Sequence, residues 1–171
     1  MALQWVDEAR ACSFTGHRPD RLGVVDRKDP AAQTIIEALA QNITRLYYED
    51  KVTHFFTGMA LGVDTWCAEQ VLYLRQFKPE VRLHCVLPCY GQDESWSKVD
   101  LLRYREILNR ADEIFYLNGP YFRGCMQERN RYLVDRAGTL LAVYDGRPGG
   151  GTSYTVDYAK KRRRRILLVQ P

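Results

Sequence analysis

Apolar positions along the chain fall into two alternating patterns. Short β-branched or aromatic runs bounded by turn residues recur as ACSFTG, THFFTG, VRLHCVLP, EIFYL, TLLAVYDG and RILLVQP. Runs of this kind predict buried strands. Between them lie longer stretches with helical spacing. Ile35, Ile36, Leu39, Ile43, Leu46 and Tyr47 form one stripe, and Val63, Trp66, Cys67, Val71 and Leu74 a second. Leu101, Leu102, Tyr104, Ile107 and Leu108 mark a third helix, Met126, Leu133, Val134 and Ala137 a fourth, and Val156 with Ala159 a short fifth. Strand–helix alternation with strands buried on both faces predicts a three-layer α/β fold, a mostly parallel sheet of about six strands wrapped by helices. No internal repeat, low-complexity linker or composition shift divides the chain, so residues 1–171 are expected to form one domain.

On that alternation, glycine-rich segments fall in a consistent place. TGHRP follows the first strand, TGMALGVD the second, NGPYFRGC the fourth and DGRPGGGT the fifth. All four are strand-to-helix turns, so in a parallel sheet they share one edge. The return connections YYEDKV, QFKPEV, NRADE and DRAGT are charged and ordinary. Open α/β sheets bind ligands beyond the carboxyl ends of their strands, where strand order reverses.

The chemistry of those turns favours an anion. Glycine admits close approach to the backbone, and a helix start adds unpaired N–H groups and a positive dipole end. GGGTSYTV offers both: Gly149, Gly150 and Gly151, then Thr152 or Ser153 as the expected N-cap. TGMALGVD repeats the design with Gly58 and Gly62 ahead of a helix that Asp64 is expected to cap. Neither G-x-G-x-x-G nor G-x-x-x-x-G-K-[ST] occurs, which disfavours an ordinary dinucleotide dehydrogenase or a P-loop ATPase. In TGHRP, Arg18 suits a phosphate clamp and His17 a hydrogen bond or a titrating role. In GCMQERNRYLVDRA the apolar stripe passes through Arg129 and Asn130. A buried arginine needs a paired anion or several acceptors, because burial unpaired costs on the order of 5 kcal/mol. Its partner is either a core carboxylate such as Asp64 or a bound ligand. Tyr90, Trp96, Tyr121 and Phe122 lie on the same edge, placed to stack a base or simply to cover the sheet end.

Composition narrows the classes. Hydrophobic residues make up 46% and charged residues 27% of the 171. No apolar run approaches the ~20 residues of a membrane span, and the N-terminus lacks a signal-peptide pattern. The expected location is the cytoplasm, away from membranes. Five scattered cysteines without a Cys-x-x-Cys read as reduced structural thiols; His84, Cys85 and Cys89 lack a fourth metal ligand, and no metal is expected. The run KKRRRR (Lys160 to Arg165) alone exceeds the net charge of +4, so the rest of the chain is slightly acidic. That run reads as a helix C-terminus or as a local patch for a polyanion or partner, and a nucleic-acid-binding face is disfavoured.

Together TGHRP, TGMALGVD, LPCYGQDESW, GCMQERNRYLVDRA and AVYDGRPGGGT, in that order, resemble the YpsA-like branch of the SLOG superfamily. Other members of that superfamily include the DNA-processing protein DprA and the LONELY GUY phosphoribohydrolases. The resemblance covers nearly the whole chain. It implies a Rossmann-like sheet with a pocket for a nucleotide or nucleotide-derived ligand. Carried over by position, Gly16, Gly58, Gly62, Asp64, Arg129, Asn130, Gly150, Gly151 and Thr152 would line it, and His17, Arg18 and Met59 are counted with them. The LONELY GUY enzymes carry a glutamate for glycosidic cleavage shortly after their glycine–threonine pair. Counted from Gly151–Thr152, that slot holds Thr155, a hydroxyl that cannot stabilise an oxocarbenium-like centre as a carboxylate does.

Three functions compete. The favoured one is a sensor or regulatory module binding a small phosphorylated nucleotide derivative, with no further cofactor. The second is a nucleotide N-glycosidase using Asp64 or Glu128 as its carboxylate. The third, a DprA-like single-stranded DNA binder using the basic run, has least support because the remaining charge is slightly acidic. Homo-oligomerisation stays open.

Overall fold

The structure is a computed structural model that describes residues 5–171. Its strands are β1 (Ala11–Gly16), β2 (His54–Thr57), β3 (Arg82–Leu87), β4 (Glu113–Tyr116), β5 (Thr139–Val143) and β6 (Arg165–Val169). Its helices are α1 (Pro19–Leu22), α2 (Pro30–Asp50), α3 (Val63–Arg75), α4 (Lys98–Arg110), α5 (Cys125–Arg136) and α6 (Gly150–Lys161), with a 3₁₀ turn at Glu8–Arg10. The strands form one sheet in the order β4-β3-β2-β1-β5-β6, every pair parallel. The chain runs outward from β1 to β4, then returns to the other side of β1. Strand order therefore reverses between β1 and β5, and a crevice opens there at the carboxyl ends.

Period-two alternation sends each strand's side chains to two cores. Phe14, Phe55, Leu83 and Leu141 pack with α2, α3 and α4; Ala11, Phe56, Val86, Leu140 and Ala142 face α5 and α6. α2 starts with Pro30 at its first position behind Asp29, whose carboxylate accepts the Ala31 N–H at 2.9 Å. Its buried stripe is Ile35, Ile36, Leu39, Ile43 and Leu46. α4 is capped by Ser97, which accepts the Asp100 N–H at 3.2 Å and donates to the Asp100 carboxylate at 2.7 Å.

Four expectations need correction. Neither Thr152 nor Ser153 caps α6, and Asp64 does not cap α3. Both helices begin earlier, behind Gly149 (φ 93) and Gly62 (φ 88), in backbone conformations that strain side-chain-bearing residues. Thr152 and Ser153 are thereby carried into the buried first turn. α6 is twelve residues long, because glycines open it and polar residues cover its outer face. β4 and β6 are edge strands rather than buried on both faces, with Ile114, Tyr116 and Leu168 exposed.

Candidate functional site

The site begins where β1 and β5 end side by side. Gly16 pairs with Val143 in register, and the next N–H, of His17, donates to the Val143 carbonyl. His17 is 3% exposed, and its Nε2 lies 3.1 Å from Asp145 Oδ1 in the loop after β5. With Nε2 donating, the imidazole is held in one orientation by a carboxylate. The Asp145 carboxylate also accepts the Arg147 N–H at 3.0 Å. That N–H, with His17 adding to it, holds the carboxyl below the ordinary aspartate range.

Across the crevice, α5 delivers Arg129, 4% exposed. Its Nη1 donates to the Gly58 carbonyl at 2.5 Å and its Nε to Asn130 Oδ1 at 2.9 Å. Nη2 makes no hydrogen bond with the described residues, and the residue lines the cleft. Glycine at position 58 makes room for this arrangement, since a Cβ there would overlap the guanidinium and push Arg129 aside. Asp64, 7% exposed, accepts the Ala60 N–H at 3.1 Å and makes no ion pair with Arg129. Burial outweighs their mutual attraction at both groups. It pushes the Asp64 carboxyl above its ordinary range and pulls the Arg129 guanidinium below its own.

The third wall is the start of α6. Gly151 and Thr152 line the cleft, whose volume is about 360 Å³. Gly150 precedes them at φ 86, and the Gly149 carbonyl accepts a hydrogen bond from Arg21 Nη1 at 2.9 Å. At Gly151 the protein demands nothing of the sort. An added Cβ would meet only Asn130 Nδ2, at 3.8 Å. A glycine the fold does not require, beside free helical N–H groups, leaves room for something else to approach.

Of the residues expected from the sequence, Gly16, His17, Arg18, Asp64, Arg129, Asn130, Gly151 and Thr152 converge on this cleft. Gly58 acts from behind, through Arg129. Gly62 starts α3, Gly150 shapes the turn, and Met59 is fully buried in the core at φ 56. Glu128 does not line the cleft; its Oε2 accepts from Asn118 Nδ2 at 3.3 Å. Thr155, in the slot where a carboxylate would be sought, is 1% exposed and donates back to the Gly151 carbonyl at 2.7 Å. Asp145, Arg21 and Gln127 escaped the sequence reading. Asp145 would have been legible from DG at the end of a strand, had β5 been known to neighbour β1.

Other candidates resolve structurally. Arg162 pairs with Asp135 at 2.7 Å and Arg165 with Asp50 at 2.8 Å, while Arg164 meets Glu8 and Lys160 meets Asp157. Most of the basic run is thus neutralised where α6 returns to β6. Tyr90 packs on Tyr116 and Trp96 on Tyr104, and neither they nor Tyr121 and Phe122 line the cleft. The His84 ring nitrogens face His54 and Glu113 rather than a cysteine. Among the described residues no helix is long and apolar enough to cross a membrane.

With this geometry in hand, known proteins are informative. The family described as the YspA SLOG family (YpsA) matches residues 12–168. A UPF0398 protein of Halalkalibacterium halodurans is 31% identical over 168 residues, 95% of this chain and 88% of its own. A UPF0398 protein of Bacillus thuringiensis is 28% identical over 155 residues, 90% and 84% of the two chains. Among solved structures, DNA processing protein A (DprA) from Streptococcus pneumoniae superposes with a TM-score of 0.64 at 15% identity. That match takes in 92% of this chain and about half (49%) of DprA. TM1055 superposes with a TM-score of 0.54 at 15% identity, over 92% and 72%. These two likenesses speak for the fold alone.

Proposed function

The chain belongs to the YspA SLOG family, and on that footing we propose that it binds a small phosphorylated nucleotide or nucleotide-derived ligand, as a sensor or regulatory module. One observation carries this reading: Arg129 is 4% exposed, lines the cleft, and has a terminal nitrogen with no hydrogen-bond partner among the described residues. A guanidinium so buried is stabilised by an anion, and the N–H groups of Gly151 and Thr152 offer that anion a second contact. The chemistry suits a phosphate, with Asn130 and Asp64 available to ligand hydroxyls. The test is denaturation of natively purified protein with mass spectrometry of what it releases, together with nucleotide titration. A released or saturably bound nucleotide phosphate, absent from Arg129→Met, is expected. No nucleotide in either measurement overturns the reading.

A second reading, N-glycosidic hydrolysis, is favoured by two features of the same cleft. Asp64 has its carboxyl raised by burial, as a general acid requires, and His17 is oriented by Asp145 as a general base requires. Against it stands Thr155, whose hydroxyl is turned into its own helix. Incubation with nucleoside monophosphates, NAD and ADP-ribose separates the two. Saturable binding without free base is expected. Release of base that is lost in Asp64→Asn and kept in Glu128→Gln would replace binding with turnover.

A further inference from the structure

A second cleft, of about 760 Å³, adjoins the first and shares Arg18 and Asp20 with it. The two meet at α1. The second is walled by the start of α3, through Leu61 and Trp66, and by the start of α4, through Val99. Two of its cations, Arg27 and Arg103, both reach Glu69, at 2.6 and 3.3 Å, and Asp20, Asp26, Lys28 and Asp100 line it as well. Between these charges its walls are apolar. Val25 is 90% exposed and Val99 64% exposed, and neither belongs to a core cluster, so folding does not account for two valines facing this space. At the junction, Arg18 is exposed and its side chain makes no hydrogen bond or ion pair with the described residues, yet its charge acts on both Asp64 and Arg129. The first cleft alone lies at the small end of the ~300–1,000 Å³ typical of sites that enclose a whole ligand.

We infer that the two clefts form one bipartite site, and that its ligand is a pyrophosphate-linked nucleotide conjugate. One half places its phosphate at Gly151, Thr152 and Arg129. The adjoining phosphate lies on Arg18. A flat, weakly polar group, such as a second nucleobase, fills the space between Trp66, Val25 and Val99. A monophosphate would leave Arg18 without its anion and the second chamber filled with water. The inference rests on the phosphate-binding reading of the first cleft.

Calorimetric titration of the whole protein with the four common nucleoside 5′-monophosphates and the four matching symmetrical pyrophosphate-linked dinucleotides tests it. The best dinucleotide is expected to bind at least about tenfold more tightly than the best monophosphate. Val99→Arg and, separately, Val25→Arg should remove that gain and leave monophosphate affinity within about twofold, since both positions are solvent-exposed. Equal or weaker binding of every dinucleotide, or a gain that survives both substitutions, overturns the bipartite site and leaves the phosphate site standing. Failure of all eight compounds to bind overturns both.

Discussion

The two edges of the sheet bury ionisable groups in opposite ways. Where the strands begin, His54 Nδ1 lies 2.9 Å from His84 Nε2, and His84 Nδ1 lies 2.7 Å from Glu113 Oε2, a chain running across β2, β3 and β4. Beside it Asp112 receives Arg75 at 2.6 Å and the Leu83 N–H at 2.8 Å. Where the strands end, Arg129 is buried just as deeply as His84, yet one of its terminal nitrogens has no hydrogen-bond partner among the described residues. Both edges face the same desolvation cost. At the first, neighbouring strands supply the compensating groups; at the second, the backbone retreats into glycine and leaves space. A buried charge with local partners is part of the folding problem, whereas one left open beside free N–H groups is where the proposed ligand would bind.

The largest effect should come from Gly58→Val. Its Cβ would occupy the place of the Arg129 guanidinium and break the Nη1 bond to the Gly58 carbonyl. Displacing a buried charge without a new partner costs about 3–5 kcal/mol. Urea denaturation should show a loss of that size, with nucleotide binding abolished. A variant of parental stability would mean that Arg129 is held less tightly than its contacts imply.

Arg129→Met separates the two edges more sharply. It removes the open charge and keeps the apolar stem, so the unliganded protein should lose little stability or gain some. Ligand affinity should fall by about 2–5 kcal/mol, as when one partner of a desolvated charge pair is removed. His84→Met at the other edge should do the reverse: lower stability, because His54 and Glu113 lose their shared partner, with ligand affinity unchanged. If both substitutions cost stability alike, the contrast between the edges fails.

What the sequence made legible divides along the same line. Helix period alone placed Arg129 on an inward face, and glycines at strand ends located the edge that holds the cleft. Asp145 was hidden, because its meaning depends on β5 lying beside β1, a fact of topology that no local pattern carries. Glu128 was overvalued: one step along a helix turns a side chain by about 100°, so the neighbour of an inward arginine faces Asn118. The histidine chain was missed for a related reason. His54, His84 and Glu113 are distant in sequence and meet only through strand register. The helix caps were misjudged because a glycine cap gives no hydroxyl signal.

Acid should act on the paired edge first. Burial holds His84 below the ordinary histidine value of 6.5, against the opposing pull of Glu113, and lowers His54 as well. A depressed folded-state value means that the unfolded chain takes up protons first. The stability contribution is therefore complete above about pH 6.5 and is lost as pH falls below it. One histidine contributes at most about 1.4 kcal/mol per pH unit, and half-exposed His54 contributes less than His84. The urea midpoint should fall more steeply between pH 7 and pH 5.5 in the parent than in His84→Gln. Parallel profiles would show that the chain does not titrate with folding.

The smallest effect is the most discriminating. Gly151 lies in the first turn of α6 without a positive φ, and an added Cβ would meet only Asn130 Nδ2 at an ordinary 3.8 Å. Glycine in a helix is less stable than alanine by about 0.5–1 kcal/mol, through the greater freedom of the unfolded chain. On folding grounds alone, Gly151→Ala should therefore raise the urea midpoint by roughly that amount. The same methyl group projects into the cleft between Asn130 and the start of α6, where a phosphate would come against the backbone. Ligand affinity should fall while stability rises. A substitution that improves the fold and weakens binding identifies a residue kept for the ligand. If Gly151→Ala stabilises the protein and nucleotides bind it as tightly as before, the anion does not approach the backbone at this turn. An anion at Arg129 would then have to approach from elsewhere along the crevice.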